Sequence, residues 1–129
     1  MRGKKIVLDL EFIPYRRKQE PYCVHEIIEI GAVALDADNE IYDEFQMYVK
    51  PQYGTVPPFV TAITGITNEM LVGQVSFSEA MQAFEAWLPQ EDSYRFYTWS
   101  GSDQHVFQAE AEWKERPLLG NFYGWWVDL

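Results

Sequence analysis

Two carboxylates interrupt an apolar run near the start of the chain, at residues 6–12, and this run limits the fold more than any other feature. Side chains alternate along a β-strand, so Leu8 and Leu10 would share one face and Asp9 and Glu11 the other. Two close negative charges repel each other unless a proton or a cation intervenes. Oxygen ligands of this kind suit Mg²⁺ or Mn²⁺. Two interpretations stay open here: a metal site, or an edge strand with two solvated acids.

Length and composition indicate one folded domain over residues 1–129. Apolar residues make up 47% of the chain and aromatic residues 16%, which excludes a disordered tail. The single cysteine, Cys23, excludes an intrachain disulfide framework and predicts a cytoplasmic location. The basic N-terminus precedes an apolar run that is too short and too charged for a signal peptide or a membrane span.

The net charge of −10 argues against a general nucleic-acid coat protein, because phosphate contacts need Lys and Arg. The charge is unevenly distributed, however. Residues 1–18 carry six basic and two acidic groups, and the remaining 111 residues carry four basic and eighteen acidic groups. The basic stretch at 16–18 could therefore contact a phosphate substrate beside the acidic pair, or it could be a solvated loop.

The middle of the first half predicts an antiparallel hairpin. A polar loop is expected at 14–21, a mostly buried strand at 26–35, a turn at 36–39 and a returning strand at 40–49. Two strands that are joined by a short polar turn pair antiparallel. Three prolines are expected to interrupt regular structure after this hairpin: Pro51, Pro57 and Pro58.

The second half predicts helix, strand and helix. Ser76 and Glu79 form a capping-box pattern at the start of a helix over 77–88. A short strand is expected at 94–98, followed by a helix that Asp103 opens. This order of elements predicts an α/β fold with a mixed sheet flanked by helices.

Asp103 is the third acid of interest, because it follows a strand and lies in the first turn of a helix. An acid is also favoured there for capping alone, since helix N-termini carry unpaired N–H groups. His25 and His105 are isolated and are interpreted as ordinary surface or boundary histidines. Cys23 has no metal-ligand spacing and is assigned no role.

Six segments in order carry a resemblance that covers essentially the whole chain: Ile6–Glu11, Glu26–Val33, Val60–Thr67, Phe77–Leu88, Tyr97–Asp103 and Trp126–Leu129. Together they resemble the DEDD 3′–5′ exonucleases, a branch of the ribonuclease H-like fold. The most similar branch is the histidine-containing one, DEDDh, which includes exonucleases that trim histone mRNA and small RNAs. The resemblance implies a ribonuclease H-like mixed β-sheet flanked by α-helices.

The same resemblance implies that Asp9, Glu11 and Asp103 are catalytic carboxylates that hold two Mg²⁺ or Mn²⁺ ions. One ion would lower the pKa of an attacking water, and the other would stabilise the leaving 3′-oxygen. The implied reaction releases nucleoside 5′-monophosphates from the 3′ end of RNA or single-stranded DNA. Nucleic-acid 3′ ends are therefore the expected partner, and no membrane is.

Substrate contacts are implied at two further places. The turn Thr64-Gly65-Ile66 would lie against the terminal nucleotide through its backbone and apolar packing. It could equally be a conformationally demanding turn before a helix that Thr67 caps, and both interpretations can hold. Trp99 could stack on a base or be a core or rim aromatic residue.

The family's third motif, a histidine followed by a fourth aspartate, has no match before Leu129. The resemblance therefore implies that this chain contains no general base, that its C-terminal part is missing, and that its activity alone is weak or absent. The aromatic segment 122–126 would then be partly uncovered and favour self-association or a partner chain. A non-catalytic remnant that binds nucleic acid or protein is the alternative.

Overall fold

A computed structural model describes residues 4–16, 23–89, 94–99, 101–118 and 126–128. The elements in this part of the chain are β1 (Lys4–Arg16), β2 (Cys23–Leu35), β3 (Ile41–Tyr48), α1 (Pro58–Thr64), α2 (Asn68–Leu71), α3 (Phe77–Trp87), β4 (Tyr94–Thr98), α4 (Gly101–Trp113) and β5 (Trp126–Asp128). None of the helices in the described ranges is long and apolar enough to cross a membrane.

The strands form one five-stranded sheet in the order β3-β2-β1-β4-β5. β1 pairs antiparallel with β2, and β2 pairs antiparallel with β3, so the predicted hairpin is confirmed. β4 runs parallel to both β1 and β5. The predicted mixed sheet with flanking helices is therefore confirmed, and its central strand is the one that carries the acidic pair.

The predicted alternation along β1 is confirmed. Leu8 and Leu10 are 0% and 4% exposed, whereas Asp9 is exposed and Glu11 is half-buried. Each fully buried Leu or Ile side chain stabilises the fold by about 1.5–3 kcal/mol. The apolar side chains therefore fix the register of β1, and this register leaves the two acids on the other face.

Two apolar clusters cover the sheet. The larger one packs β1, β2 and β4 against α3 and α4, with Phe84, Phe96 and Phe107 at its centre. The smaller one surrounds Ile13 and Ile28 and includes buried residues of α1 and α2. The helices of the smaller cluster therefore lie near the end of β1 that follows Glu11.

A β-bulge interrupts the β1–β2 ladder beside the acidic pair. Glu11 faces Glu29, but Phe12 faces Ile27, so Ile28 has no residue opposite it. The backbone carbonyl of Ile28 instead accepts a hydrogen bond of 2.8 Å from the Val49 N–H. Bulges bend a strand and change the direction of its side chains, and this one lets Ile28 enter the smaller cluster.

Two predictions about prolines are wrong. Pro14 was expected in a loop, but β1 continues to Arg16 and pairs Pro14 with His25. The β1–β4 ladder ends at Val7, so β1 is paired on one side only at Pro14, where a proline is tolerated. The rest of the predicted loop, 17–22, lies outside the described residues.

Pro58 does not interrupt regular structure but begins α1. Proline is favoured at the first helical position, because the N–H it lacks has no partner within a helix anyway.

The capping box of α3 is confirmed, since Ser76 and Glu79 each accept a hydrogen bond from the other's backbone N–H. At the C-terminal end, the ring of Trp126 stacks on Phe96 at 4.7 Å. Residues 122–125 of the aromatic segment lie outside the described part.

Candidate active site

Asp103 lies beside the backbone of the acidic pair because β4 does not pair with this part of β1. β4 pairs with β1 only as far as Val7, and α4 begins at Gly101, shortly after β4. Asp103 therefore lies in the first turn of α4, as predicted. The backbone N–H of Leu10, the residue between Asp9 and Glu11, lies close enough to this carboxylate to act against the rise in its pKa.

The charges of these three acids act on one another. Burial raises the pKa of Glu11, and the carboxylates of Asp9, Glu29 and Asp103 raise it further. Burial also raises the pKa of Asp103, with a smaller contribution from Asp9, while the Leu10 N–H acts in the opposite direction. A charge that raises the pKa of a neighbouring acid lies near it, so the structure brings the three predicted acids into one region.

The chemistry of the donors fits a hard divalent cation, because all three are carboxylates whose charges are mutually unfavourable. The side chains do not enclose a single point, however. Among the described residues, no three acidic, imidazole or thiol groups are arranged so that they could hold one ion. Metal binding would therefore need the side chains of Asp9, Glu11 and Asp103 to turn toward one another.

Glu29 is an acidic neighbour of the site that sequence reasoning did not single out. It faces Glu11 across the β1–β2 ladder and accepts a hydrogen bond of 2.8 Å from Gln46 Nε2. The available signal was an acidic residue inside an apolar strand of the predicted hairpin. Only the pairing of β2 with β1 shows that this residue faces Glu11.

The Thr64-Gly65-Ile66 turn ends α1, and its geometry explains its sequence. Gly65 has φ 79° and donates its N–H to the carbonyl of Thr61 at 2.8 Å, a left-handed helix end that favours glycine. The Thr64 hydroxyl accepts from the Ile66 N–H at 3.0 Å. Ile66 is 2% exposed in the smaller cluster. Thr67 caps α2, as the turn interpretation predicted.

The surface of this turn and of the loop after β4 carries exposed apolar side chains. Ile63, which precedes the turn, is 80% exposed, and Trp99 is 72% exposed. The interpretation of Trp99 as a core residue is therefore wrong. The predicted contacts of Thr64, Gly65, Ile66 and Trp99 with a nucleotide stay predictions.

The two histidines lie on β2 and α4. The ring of His25 meets that of Phe12 edge-on at 5.2 Å, and burial, with a smaller contribution from His105, lowers its pKa. His105 is exposed on α4. Of the basic residues near the start of the chain, Lys5 donates to Asn39 at 2.7 Å and Arg16 is exposed, whereas residues 17 and 18 lie outside the described ranges.

A buried ionic cluster, formed by Glu26, Glu110 and Lys114, lies at the other end of α4 and was missed by sequence reasoning. Lys114 Nζ lies 2.9 Å from Glu26 Oε2 and 2.6 Å from Glu110 Oε2. The spacing of Glu110 and Lys114 is that of a common helix-surface pair, which indicates nothing about burial. Glu26 joins them only through the fold.

The comparisons with known proteins agree with this fold. The family model RNase_T, described as an exonuclease, matches residues 6–112. The chain therefore belongs to this exonuclease family. Its structural neighbours share the ribonuclease H-like fold of the DEDDh nucleases.

Individual relatives include proteins that are named for DNA and for RNA. The chain is 37% identical over 81 residues to DNA polymerase III subunit epsilon of Pasteurella multocida, and this alignment covers 63% of the chain and 32% of that protein. It is 33% identical over 82 residues to human 3′-5′ exoribonuclease 1, which covers 62% of the chain and 24% of that protein. The chain thus matches a third or less of the length of these relatives.

Solved structures extend the match to nearly the whole chain. Cell-death related nuclease 4 (CRN-4) superposes with a TM-score of 0.79 and 23% identity, over 94% of this chain and 43% of that one. The nuclease domain of 3′hExo, a DEDDh family member bound to rAMP, gives a TM-score of 0.76 and 23% identity, over 93% and 64%. At these identities the likeness shows the fold.

Proposed function

We propose that this chain is a 3′–5′ exonuclease-type domain that binds the 3′ end of RNA or single-stranded DNA and hydrolyses its terminal phosphodiester with Mg²⁺ or Mn²⁺. The observation that carries the proposal is the convergence of Asp9 and Glu11 from β1 with Asp103 from α4. Membership of the exonuclease family supports it. So does the rAMP that is bound to the structural neighbour 3′hExo.

Asp9, Glu11 and Asp103 would hold the divalent ions, which supply an activated water and stabilise charge on the leaving oxygen. The water oxygen bonds to phosphorus, the bond between phosphorus and the 3′-oxygen of the preceding nucleotide breaks, and a nucleoside 5′-monophosphate leaves. The departing 3′-oxygen takes up a proton and ends as a hydroxyl. The backbone N–H of Leu10 lies beside the Asp103 carboxylate and favours its charged form. Gly65 would contact the terminal nucleotide through its backbone, and Trp99 would stack on a base.

We expect hydrolysis by these 129 residues alone to be weak or absent. The sequence contains two histidines, and neither stands in the sequence context of the family's general base. A lost general base costs about 10²–10⁴ in rate. Binding of metal and of nucleic acid is therefore the sharper test of the site.

The alternative is a non-catalytic domain of the same fold that binds nucleic acid or a protein. The raised pKa values of Glu11 and Asp103, to which burial and neighbouring carboxylates contribute, favour the catalytic proposal. Acids without a role in metal binding have no reason to stay close together and repel one another.

The test is a calorimetric titration with Mn²⁺, followed by measurement of the affinity for a short 5′-labelled single-stranded oligonucleotide with and without Mn²⁺. The wild-type chain should bind Mn²⁺ and then bind the oligonucleotide more tightly. Asp9→Asn should abolish both effects, because it removes a charged ligand but keeps the size of the side chain.

Glu44→Gln is the matched control, since Glu44 is an exposed acid on β3. It removes one negative charge from the sheet and should leave both affinities unchanged. Oligonucleotide binding that does not respond to Mn²⁺ would favour the non-catalytic alternative. Robust 3′–5′ trimming by the chain that is lost in Asp9→Asn would show that the site is catalytically sufficient.

A further inference from the structure

Helix α4 is attached to the sheet by a carboxylate near each end. Asp103, in its first turn, has its carboxylate beside the Leu10 N–H of β1. Glu110, which is 1% exposed, accepts the Ile27 N–H of β2 at 2.7 Å. Glu110 follows Asp103 by seven positions, which correspond to two turns and about 10 Å of helix, so both side chains lie on the same side of α4. Val106 and Phe107 fill the space between them in the core.

The second attachment is held by the buried ionic cluster. Lys114 Nζ bridges the carboxylates of Glu110 and Glu26, and its side chain is 6% exposed. Two acids and one cation would leave an uncompensated negative charge in the core. Backbone donors offset this charge, because Glu26 also accepts from the N–H groups of Gln52, Tyr53 and Gly54 and Glu110 from that of Ile27.

The contact at Ile27 is also the place where the sheet changes register. Ile27 adjoins the bulged residue Ile28, which in turn adjoins Glu29, the residue opposite Glu11. The Glu110 carboxylate therefore joins α4 to the strand at the bulge beside the acidic site. A helix that is fixed at two points can neither slide nor rotate freely over the sheet.

We propose that Glu110 is a positioning residue for the acidic site: through its bond to the Ile27 backbone, and supported by Lys114 and Glu26, it holds α4 where Asp103 lies against β1. This inference rests on the proposed metal-binding function of Asp103. Glu110 itself is buried, two helical turns from Asp103. Loss of a group that hydrogen-bonds a metal ligand directly changes metal affinity by about 10–100-fold, and Glu110, which acts through the helix, is expected at the lower end of that range.

Two substitutions distinguish the effect of the length of the Glu110 side chain from that of its charge. Glu110→Asp keeps the charge but shortens the side chain, so α4 must move or the bond to Ile27 must break. Glu110→Gln loses the charge but keeps an oxygen that can accept the Ile27 N–H. We expect Glu110→Asp to weaken Mn²⁺ binding by about tenfold and Glu110→Gln to stay within about threefold of wild type. A change that follows charge, with Glu110→Gln the weaker binder, would overturn the proposal.

Arg116→Ala is the control for general loosening of this end of α4, because it removes the bridge of 2.7 Å to Glu85 on α3. It should lower stability without lowering Mn²⁺ affinity. Equal losses of affinity in Arg116→Ala and Glu110→Asp would show that affinity follows stability alone, and the proposal would then be wrong.

A second measurement needs no metal and separates this inference from the proposed function. The amide resonance of Leu10 and its protection from hydrogen exchange report the contact of its N–H with the Asp103 carboxylate in the metal-free chain. Both should differ from wild type in Glu110→Asp and match wild type in Glu110→Gln. If wild type fails to bind Mn²⁺ but Leu10 behaves in this way, the metal function falls and the positioning role stands. An unchanged Leu10 amide in Glu110→Asp would overturn the positioning role.

Discussion

The two ends of α4 each bring acidic side chains against the central strands, but they treat the charges differently. At the buried end, Glu26 and Glu110 share Lys114 and four backbone N–H donors. At the open end, burial and neighbouring carboxylates raise the pKa values of Glu11 and Asp103, and one backbone donor, from Leu10, acts to lower the pKa of Asp103.

This difference shows how the same residue type serves structure in one place and chemistry in another. A buried carboxylate with several donors and a cation has its hydrogen-bond partners within the fold, although burial still raises the pKa of Glu110. Within the described part of the chain, Asp9, Glu11 and Asp103 form no ion pair with a lysine or arginine, so their carboxylates are left to interact with something from solution. The number of donors, not the number of acids, therefore separates the two regions, and three experiments test this distinction.

The largest effect is expected when the buried cluster loses its cation. Lys114→Met keeps much of the side-chain volume but leaves Glu26 and Glu110 facing each other in the core. Removing one partner of a buried ion pair costs about 3–5 kcal/mol in the free energy of unfolding, and chemical denaturation would measure it. Lys5→Met removes an exposed lysine and should cost less than about 1 kcal/mol. Equal losses would contradict the distinction.

The second largest effect is expected in the pH dependence of stability, through the buried acid Glu110. Burial raises the pKa of Glu110 to about 7, above that of the unfolded chain, despite the opposing effect of Lys114. The folded state therefore binds more protons between pH 4.5 and 7, and the free energy of unfolding falls as pH rises through this window. The contribution of Glu110 is about 3 kcal/mol.

Glu110→Gln does not titrate, so denaturation in EDTA at several pH values should give a flatter profile than wild type. The difference between the two profiles isolates Glu110 from other groups. One of these is His25, whose lowered pKa acts with the opposite sign. Parallel profiles for the two proteins would show that Glu110 titrates in the folded state as it does when unfolded.

The smallest effect is expected at the open end without metal. Asp9→Asn removes a like charge that acts on Glu11 and Asp103, so in EDTA it should raise the free energy of unfolding by about 0.2–1 kcal/mol. The same variant should lose the stabilisation that Mn²⁺ gives to wild type. Destabilisation in EDTA would mean that Asp9 has a structural role that the acids at the open end were not expected to have.

Local patterns carried much of the fold. The alternation of Leu8 and Leu10 with Asp9 and Glu11 predicted which face of β1 is buried, because one face of a strand repeats every second residue. The capping box predicted the start of α3 for an equally local reason. Asp103 in the first turn of α4 also follows from the nearby sequence.

What the sequence did not reveal depends on partners far along the chain. Lys114 and Glu26 are 88 residues apart, so nothing near either residue indicates their ion pair. The strand at Pro14 depends on where β4 stops pairing, and the bulge at Ile28 appears only when β1 and β2 are aligned. Trp99 could be assigned to the surface only once its neighbours had been placed.

One small residue, a glycine, lies beside the acidic pair on the neighbouring strand. Gly31 lies directly opposite Asp9 in the β1–β2 ladder. A Cβ atom added there would meet only the Asp9 backbone oxygen within 4 Å, at an ordinary contact distance of 3.7 Å. The fold would thus accept a larger residue at this position, and its side chain would project from the face of the sheet that carries the Asp9 carboxylate. A larger residue at position 31 would therefore narrow the space beside Asp9 without disturbing the backbone.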